Sequence, residues 1–288
     1  MAEALHADPL PPHPFLTEPL VRAALAEDLA WGDLSAWGAV GADVQATAQL
    51  QVKAPGVVAG LAIAAQVFAL LDPGFRFEPL VADGVFVDPG VPIARLAGSA
   101  RTLLSGERVA LNFLQRMSGV ATKTRAFVEA LAGTQVQLVD TRKTTPGLRL
   151  LEKYAVRVGG GRNHRYGLAD AVMIKDNHAL LAGGITAAVA NIRRVLPLTA
   201  KIEVETESLE MVREALAAGA DIIMLDNMSL ELMREAVALV AGRAILEASG
   251  NVTLDRVRAI AETGVDVIST GSVTHSAPAL DISLDVLT

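Results

Sequence analysis

From residue 136 onward, short apolar runs alternate with amphipathic stretches, and this alternation limits the possible folds more than any other feature. The runs are residues 136–139, 171–174, 201–204, 222–225, 244–246 and 265–268, and helical stretches such as 208–218 and 230–240 separate most of them. Strands that follow one another through helices run parallel and are joined by right-handed crossovers. Six strands suffice for a barrel, although eight are usual; a doubly wound open sheet is the structural competitor.

The first hundred or so residues follow a different grammar, that of a mixed α+β segment. Residues 21–29 have helical spacing and stop before the turn-like Trp31-Gly32-Asp33. Residues 47–52 alternate polar and apolar, as a half-exposed strand does. Pro55-Gly56, Asp72-Pro73-Gly74 and Asp88-Pro89-Gly90 read as turns, because proline fixes one turn position and glycine relieves the next. Residues 61–71 form a buried helix, and 85–87 and 93–96 are short strands. Two further helices are expected at about 105–117 and 122–132, divided by Ser118-Gly119.

A chain of 288 residues with 51% hydrophobic content can bury a sizeable core in one large or two modest domains. The net charge of −7 and the pI near 5.3 argue against a general nucleic-acid binder, but not against a local basic pocket. Cysteine is absent, which excludes disulfides and thiolate zinc and suits a cytoplasmic location. Residues 1–15 have neither the basic start nor the apolar core of a secretory signal, and His6 and His13 read as solvated tail residues. The most apolar run, 57–71, is interrupted by Gly60 and Gln66 and is too short to span a bilayer.

The residues that end the strands carry chemistry. Val139 is followed by Asp140, Ile174 by Lys175, Val204 by Glu205 and Leu225 by Asp226. Leu246 leads into Glu247 and then Ser249-Gly250-Asn251; Ile268 leads into Ser269-Thr270-Gly271-Ser272. In a parallel barrel or open sheet these ends share one face, where ligands bind. Polar residues start loops routinely, so one case alone carries little weight. Charges of both signs at several ends, with two loops of small residues, favour a site.

The densest signal spans Asp140 to His178. Between Arg142 and Lys175 there are eight Lys or Arg against two acids, Glu152 and Asp170, a positive island in an acidic chain. Arginine forks bind carboxylates and phosphates bidentately, while lysine supplies a point charge. Lys153 and Arg157 read as the solvated face of a helix at 148–158, and Gly159 to Gly161 as its cap and a turn. Arg142, Lys143, Arg162, His164, Arg165 and Lys175 instead sit in loops or at strand ends and read as an anion pocket. For His164 and His178, structural hydrogen bonding and catalysis stay equally open.

Glu205 and Asp226, on adjacent strand ends opposite the basic cluster, suit a divalent cation such as magnesium, held mainly through substrate phosphates. Glu203 lies one step deeper on the same side of its strand, placed to support the site or pair with a base. The loops at Ser249-Gly250-Asn251 and Gly271-Ser272 can offer backbone N–H groups to a phosphate. The combination points to a phosphorylated sugar with magnesium. The chain lacks a Walker loop, a G-x-G-x-x-G after the first strand, H-E-x-x-H and G-x-S-x-G.

At these residues the sequence resembles the quinolinate phosphoribosyltransferase family. The matching segments are Ser105-Gly-Glu-Arg-Val-Ala-Leu-Asn112, Ser118-Gly-Val-Ala-Thr122, Asp140-Thr-Arg-Lys-Thr-Thr-Pro-Gly-Leu-Arg149, Glu152-Lys-Tyr154, Gly159-Gly-Gly-Arg-Asn-His-Arg165, Ile174-Lys-Asp-Asn-His178, Leu225-Asp-Asn227 and Gly264-Val-Asp266, in the family's order. The resemblance implies an α/β protein: an N-terminal α/β sandwich domain (1–115, joined by the tail 276–288) and an incomplete, seven-stranded α/β barrel (116–275). It implies a homodimer, or a hexamer of dimers, with sites completed across an interface. The implied reaction joins quinolinate to phosphoribosyl pyrophosphate, giving nicotinate mononucleotide, pyrophosphate and carbon dioxide.

By position, the resemblance assigns the quinolinate carboxylates to Arg142, His164, Arg165 and Lys175, with Arg108 reaching in from the neighbouring subunit. Lys143 faces the pyrophosphate donor, and Glu205 and Asp226 serve magnesium and the ribose hydroxyls; these three are the implied catalytic residues. Ser249, Gly250, Gly271 and Ser272 cradle the 5-phosphate, and Thr141 and Asn251 complete the substrate-binding set. Arg162 varies in the family's pattern and is left out.

Three other readings compete. A molybdenum-transport-associated branch shares the fold, but the intact Thr141-Arg-Lys and Asn163-His-Arg segments speak for the first reading. A phosphate-barrel lyase or isomerase needs a Lys or carboxylate for proton transfer or Schiff-base chemistry, whereas this cluster is mostly Arg. A non-catalytic dicarboxylate binder has no use for Glu205 and Asp226.

Overall fold

The computed structural model describes residues 9–287, so the expectation for His6 lies outside the described residues. Two compact units divide the chain: one holds residues up to 125, 144–160 and those from 273 on, the other residues 126–143 and 161–272.

In the first unit, the alternating segment is β1 (Gln45–Val52), which turns Ala48, Leu50 and Val52 into the core. It pairs antiparallel with β5 (Pro92–Ser99) on one side and with the C-terminal strand β12 (Ile282–Leu287) on the other. An edge strand, β3 (Arg76–Pro79), completes the order β12-β1-β5-β3. A separate ladder joins β2 (Gly56–Val57) to β4 (Phe86–Val87).

Helices α1 (Pro14–Asp28), α2 (Leu34–Ala39) and α3 (Leu61–Leu71) accompany these strands. His13 is exposed, but it is more than a solvated tail residue. Its Nδ1 accepts the Phe15 N–H at 3.2 Å and so caps α1. Asp33, read as part of a turn, starts α2 by accepting the Ala36 N–H at 2.8 Å.

Where two helices were expected, one helix of 31 residues, α4 (Ala100–Ala130), runs through Ser118-Gly119. Gly119 is there for clearance, because a Cβ at that position would strike the Pro278 carbonyl. Gly119→Ala is therefore expected to destabilise the protein by about 1–3 kcal/mol through overpacking. In an exposed helix the same change would stabilise by roughly 1 kcal/mol. Urea-unfolding midpoints distinguish the two signs.

Helix α5 (Arg149–Val158) corrects a second expectation. Its buried residues include Leu151, Glu152, Lys153, Tyr154, Ala155 and Val156, so the helix is enclosed on all sides. Lys153 is fully buried and belongs to no solvated face. Four-residue spacing marks a polar face only where one side of a helix meets water.

In the second unit all six expected runs are strands: β6 (Gln137–Val139), β7 (Val172–Ile174), β8 (Ile202–Thr206), β9 (Ile222–Asp226), β10 (Ile245–Ser249) and β11 (Val267–Ser269). They form one parallel sheet in the order β6-β11-β10-β9-β8-β7. Consecutive strands β6 and β7 thus lie at opposite edges. A parallel bridge between Arg162 and Val139 marks a seventh position beside β6, which gives the cyclic order of an unclosed barrel. Helices α6 (Asp176–Ala182), α7 (Ile185–Arg193), α8 (Leu209–Ala217), α9 (Leu230–Val240) and α10 (Leu254–Ala261) connect the strands, and α11 (Ser272–His275) follows β11.

The register decides which side chains share a face. Glu205 pairs with Met224, Met224 with Glu247, and Glu247 with Val267. In-register residues of parallel strands point the same way, and so do residues two apart. Glu203, Glu205, Asp226, Glu247 and Ser249 therefore project from one side of the sheet. No helix among the described residues is long and apolar enough to cross a membrane.

Candidate active site

The C-terminal ends of the parallel strands gather nearly all the residues singled out in the sequence. Asp140, at the end of β6, is fully buried and anchors the loop beyond Arg162. Its Oδ1 accepts the His164 N–H at 2.8 Å, and its Oδ2 accepts from Asn163 Nδ2 at 2.7 Å. In the adjoining loop, Thr141 Oγ1 accepts the Lys143 N–H at 3.0 Å, which leaves Lys143 exposed and Arg142 half-buried.

His164 is held on both sides of its ring. Nε2 lies 3.0 Å from Glu203 Oε2 and 3.4 Å from Glu247 Oε2, while Nδ1 accepts the Arg165 N–H at 2.8 Å. Burial opposes a charge on this imidazole, while hydrogen bonds and charge from Glu203 and Glu247 draw a proton toward the cluster. The Arg165 N–H works against a second ring proton, because two N–H groups would then face each other across Nδ1. The ring proton therefore sits on Nε2, aimed at the two carboxylates. Burial raises the Glu203 pKa, partly offset by its hydrogen bond to His164.

Arg165 is half-buried, and Nη1 donates to the Ala171 carbonyl at 3.3 Å. Burial, and then the neighbouring Arg142, lower its pKa from the usual arginine value. On the next strand end, Lys175 Nζ donates to Glu205 Oε2 at 2.7 Å. The Lys175 N–H donates to His178 Nδ1 at 3.0 Å, so His178 caps α6 and its structural reading prevails.

Asp226, Asn227 and the loop after β10 interlock. Asp226 Oδ2 accepts from Asn227 Nδ2 at 2.9 Å, and Asn227 Oδ1 accepts from Asn251 Nδ2 at 2.9 Å. Asn227 and Asn251 both adopt positive φ, which asparagine tolerates better than most residues. Gly250 lies against Asn227, and a Cβ there would collide with the amide. After β11, Thr270 and Ser272 hydroxyls lie 2.9 Å apart, beside Gly271.

Two sequence models, for the N-terminal and C-terminal domains of quinolinate phosphoribosyl transferase, match residues 33–118 and 120–285. The chain belongs to the quinolinate phosphoribosyltransferase family. It is 49% identical to a probable carboxylating nicotinate-nucleotide pyrophosphorylase of Synechocystis over 281 residues, 96% of this chain and 95% of the relative. A Bacillus subtilis relative of the same description is 47% identical over 267 residues, 93% of this chain and 92% of that protein. The NadC structure from Streptococcus pyogenes superposes with a TM-score of 0.92 at 45% identity, covering 97% of this chain and all of the other. These matches bear out the expected α/β fold, with an antiparallel N-terminal sheet and a parallel C-terminal one.

Within this family member, one residue expected at the site belongs to the first unit. Arg108 is exposed on α4 in the first unit, where it lines a cavity of about 250 Å³ with Glu27, Asp28, Asn112, Arg116 and Glu152. The others named above lie in the second unit. The sequence reading missed Glu247, which it took as a strand terminator, and the anchoring role of Asp140. A charged residue inside an apolar run, as in Ile245-Leu-Glu-Ala-Ser249, was the available signal.

Proposed function

We infer that this enzyme transfers the phosphoribosyl group of phosphoribosyl pyrophosphate to quinolinate with decarboxylation, yielding nicotinate mononucleotide and pyrophosphate for NAD biosynthesis. The observation that carries the site reading is the gathering of Arg142, Arg165 and Lys175, with Glu205 and Asp226, at neighbouring strand ends of one parallel sheet. Arg142, Arg165 and Lys175 bind the two quinolinate carboxylates, His164 acts there through the Arg165 backbone it holds, and Thr141 supports their loop. Lys143 faces the donor pyrophosphate. Ser249, Gly250, Asn251, Gly271 and Ser272 hold the 5-phosphate.

The ring nitrogen bonds to the ribose C1 as the C1–O bond to pyrophosphate breaks, its electron pair leaving with pyrophosphate. The protein supplies no nucleophile; it aligns two anions and stabilises charge as it moves. The quaternised nitrogen then accommodates the electron pair left on the adjacent carbon when carbon dioxide departs, and a proton takes the place of the lost carboxylate.

Glu205 and Asp226 fit magnesium: both are half-buried carboxylates at adjacent strand ends on one face, and this ion prefers oxygen ligands while keeping several waters. When bound, magnesium supplies charge neutralisation for the pyrophosphate group. Between the two proposed domains, 1–115 with 276–288 and 116–275, the boundary is supported by the point where the family matches meet. A cytoplasmic location accords with the absence of cysteine.

The deciding experiment mixes purified protein with quinolinate, phosphoribosyl pyrophosphate and magnesium and follows carbon dioxide and nicotinate mononucleotide. Failure to form product overturns the reading. We further propose a homodimer, or a hexamer of dimers, in which Arg108 serves the neighbouring subunit's site. Mixing inactive Arg108→Ala and Asp226→Ala protomers is then expected to restore about a quarter of the activity in statistically mixed dimers. No rescue in demonstrably mixed dimers would count against a shared site.

A further inference from the structure

Two buried glutamates in the second unit have no role in the chemistry above. Glu203 on β8 and Glu247 on β10 are each 2% exposed, between buried Ile202 and Val204 in one strand and buried Leu246 and Ala248 in the other. Each uses Oε2 on His164, and each leaves Oε1 buried without a hydrogen-bond partner. Burying a carboxylate is costly, and burying two with half their acceptors unmet is a poor way to stabilise a sheet. Such an arrangement persists where it sets the geometry of something else.

The hydrogen bonds lead to Arg165. With Nε2–H aimed at the two carboxylates, Nδ1 is left as an acceptor, and it takes the Arg165 N–H at 2.8 Å. On the other side, Asp140 Oδ1 fixes the His164 N–H at 2.8 Å. The backbone at 164–165 is thus clamped from β6 through Asp140 and from β8 and β10 through the His164 ring. Neither ring nitrogen is turned toward a ligand.

We propose that Glu203 and Glu247 are positioning residues that hold His164 as its Nε2–H tautomer, so that its Nδ1 fixes the Arg165 backbone and sets the guanidinium for a substrate carboxylate. This deepens the function proposed above and rests on it. His164 then acts through Arg165 and not by gripping quinolinate itself. The chain of contacts also separates the two substrates: quinolinate binding depends on it, and binding of the phosphoribosyl donor does not.

The test has two arms. In the first, Glu247→Leu, which removes the acceptor, is expected to raise the quinolinate KM roughly 10- to 100-fold with kcat within about threefold and the donor KM unchanged. Glu247→Gln keeps an acceptor oxygen and is expected to recover most of that loss. An unchanged quinolinate KM in folded Glu247→Leu, or equal rises in both KM values, overturns the proposal. In the second arm, ¹⁵N spectra of labelled wild-type protein, with His164 assigned through His164→Gln, are expected to show a protonated Nε2 and an unprotonated Nδ1 at neutral pH. A protonated Nδ1 overturns the proposal even if Glu247→Leu does not fold. Because this readout needs no turnover, it is independent of whether quinolinate is the substrate, and a wild-type enzyme that forms no product indicts the function instead.

Discussion

Arg165→Ala is expected to abolish most quinolinate turnover while leaving the affinity for phosphoribosyl pyrophosphate within about threefold. The half-buried guanidinium is already partly desolvated, and burial together with neighbouring Arg142 lowers its pKa. A substrate carboxylate arriving there gains a two-pronged, charge-assisted contact at little further desolvation cost. Truncating one partner of such a pair costs roughly 2–5 kcal/mol, and every 1.4 kcal/mol is about tenfold. A fall of about 30- to 3,000-fold in kcat/KM for quinolinate follows. Arg165→Lys keeps the charge but not the fork, and should recover only a minor part of the loss. Initial rates with each substrate varied in turn give the answer; an unchanged quinolinate KM for Arg165→Ala would remove Arg165 from the carboxylate site. If Glu247 acts through Arg165, adding Glu247→Leu to Arg165→Ala should cost far less than Glu247→Leu alone, since the two residues then share one path.

What could be read from the sequence follows from which residues meet water. The six parallel strands were legible because each is an apolar run closed by a charged or small residue. α9 was legible to its ends, since Ser229 caps it at one and the amphipathic pattern holds throughout. β3 was not, because as an edge strand ending in Pro79 it buries little and shows no alternation. Helix α4 was cut in two because Gly119 reads as a breaker, although its real constraint is Pro278, a hundred and more residues away.

The site shows the same division. Arg142, Lys143, Arg165 and Lys175 stood out as charge in loops, and Glu203 was placed inside by the two-residue period of a strand. Glu247 escaped because β10 continues to Ser249, so a residue taken for the strand's end is in fact its middle. Lys153 escaped because spacing along a helix says nothing about what packs on its far side. Buried charges need their partners in view, and those partners come from other strands and helices.

Arg116→Met is expected to destabilise the protein by about 3–5 kcal/mol, because it would strand a carboxylate in the core of the first unit. Glu152 is fully buried on α5. Arg116 reaches it from α4, with Nη2 at 2.7 Å and Nε at 3.0 Å from Oε1. Thr145 adds its hydroxyl at 2.7 Å and its N–H at 3.1 Å. The same guanidinium donates to the Ala277 carbonyl at 2.9 Å and to the Thr274 carbonyl at 2.5 Å, tying the C-terminal segment to α4. Methionine fills much of the volume but supplies no donor, so Glu152 keeps only the two Thr145 donors and two carbonyls lose theirs. The double change Arg116→Met with Glu152→Met should be more stable than the single one, because an apolar pair of similar volume carries no desolvated charge. Urea-unfolding midpoints for the wild type, both single variants and the double variant complete the cycle. A cost below about 1 kcal/mol for Arg116→Met, with no recovery in the double variant, would mean that water already serves Glu152 as well as the arginine does.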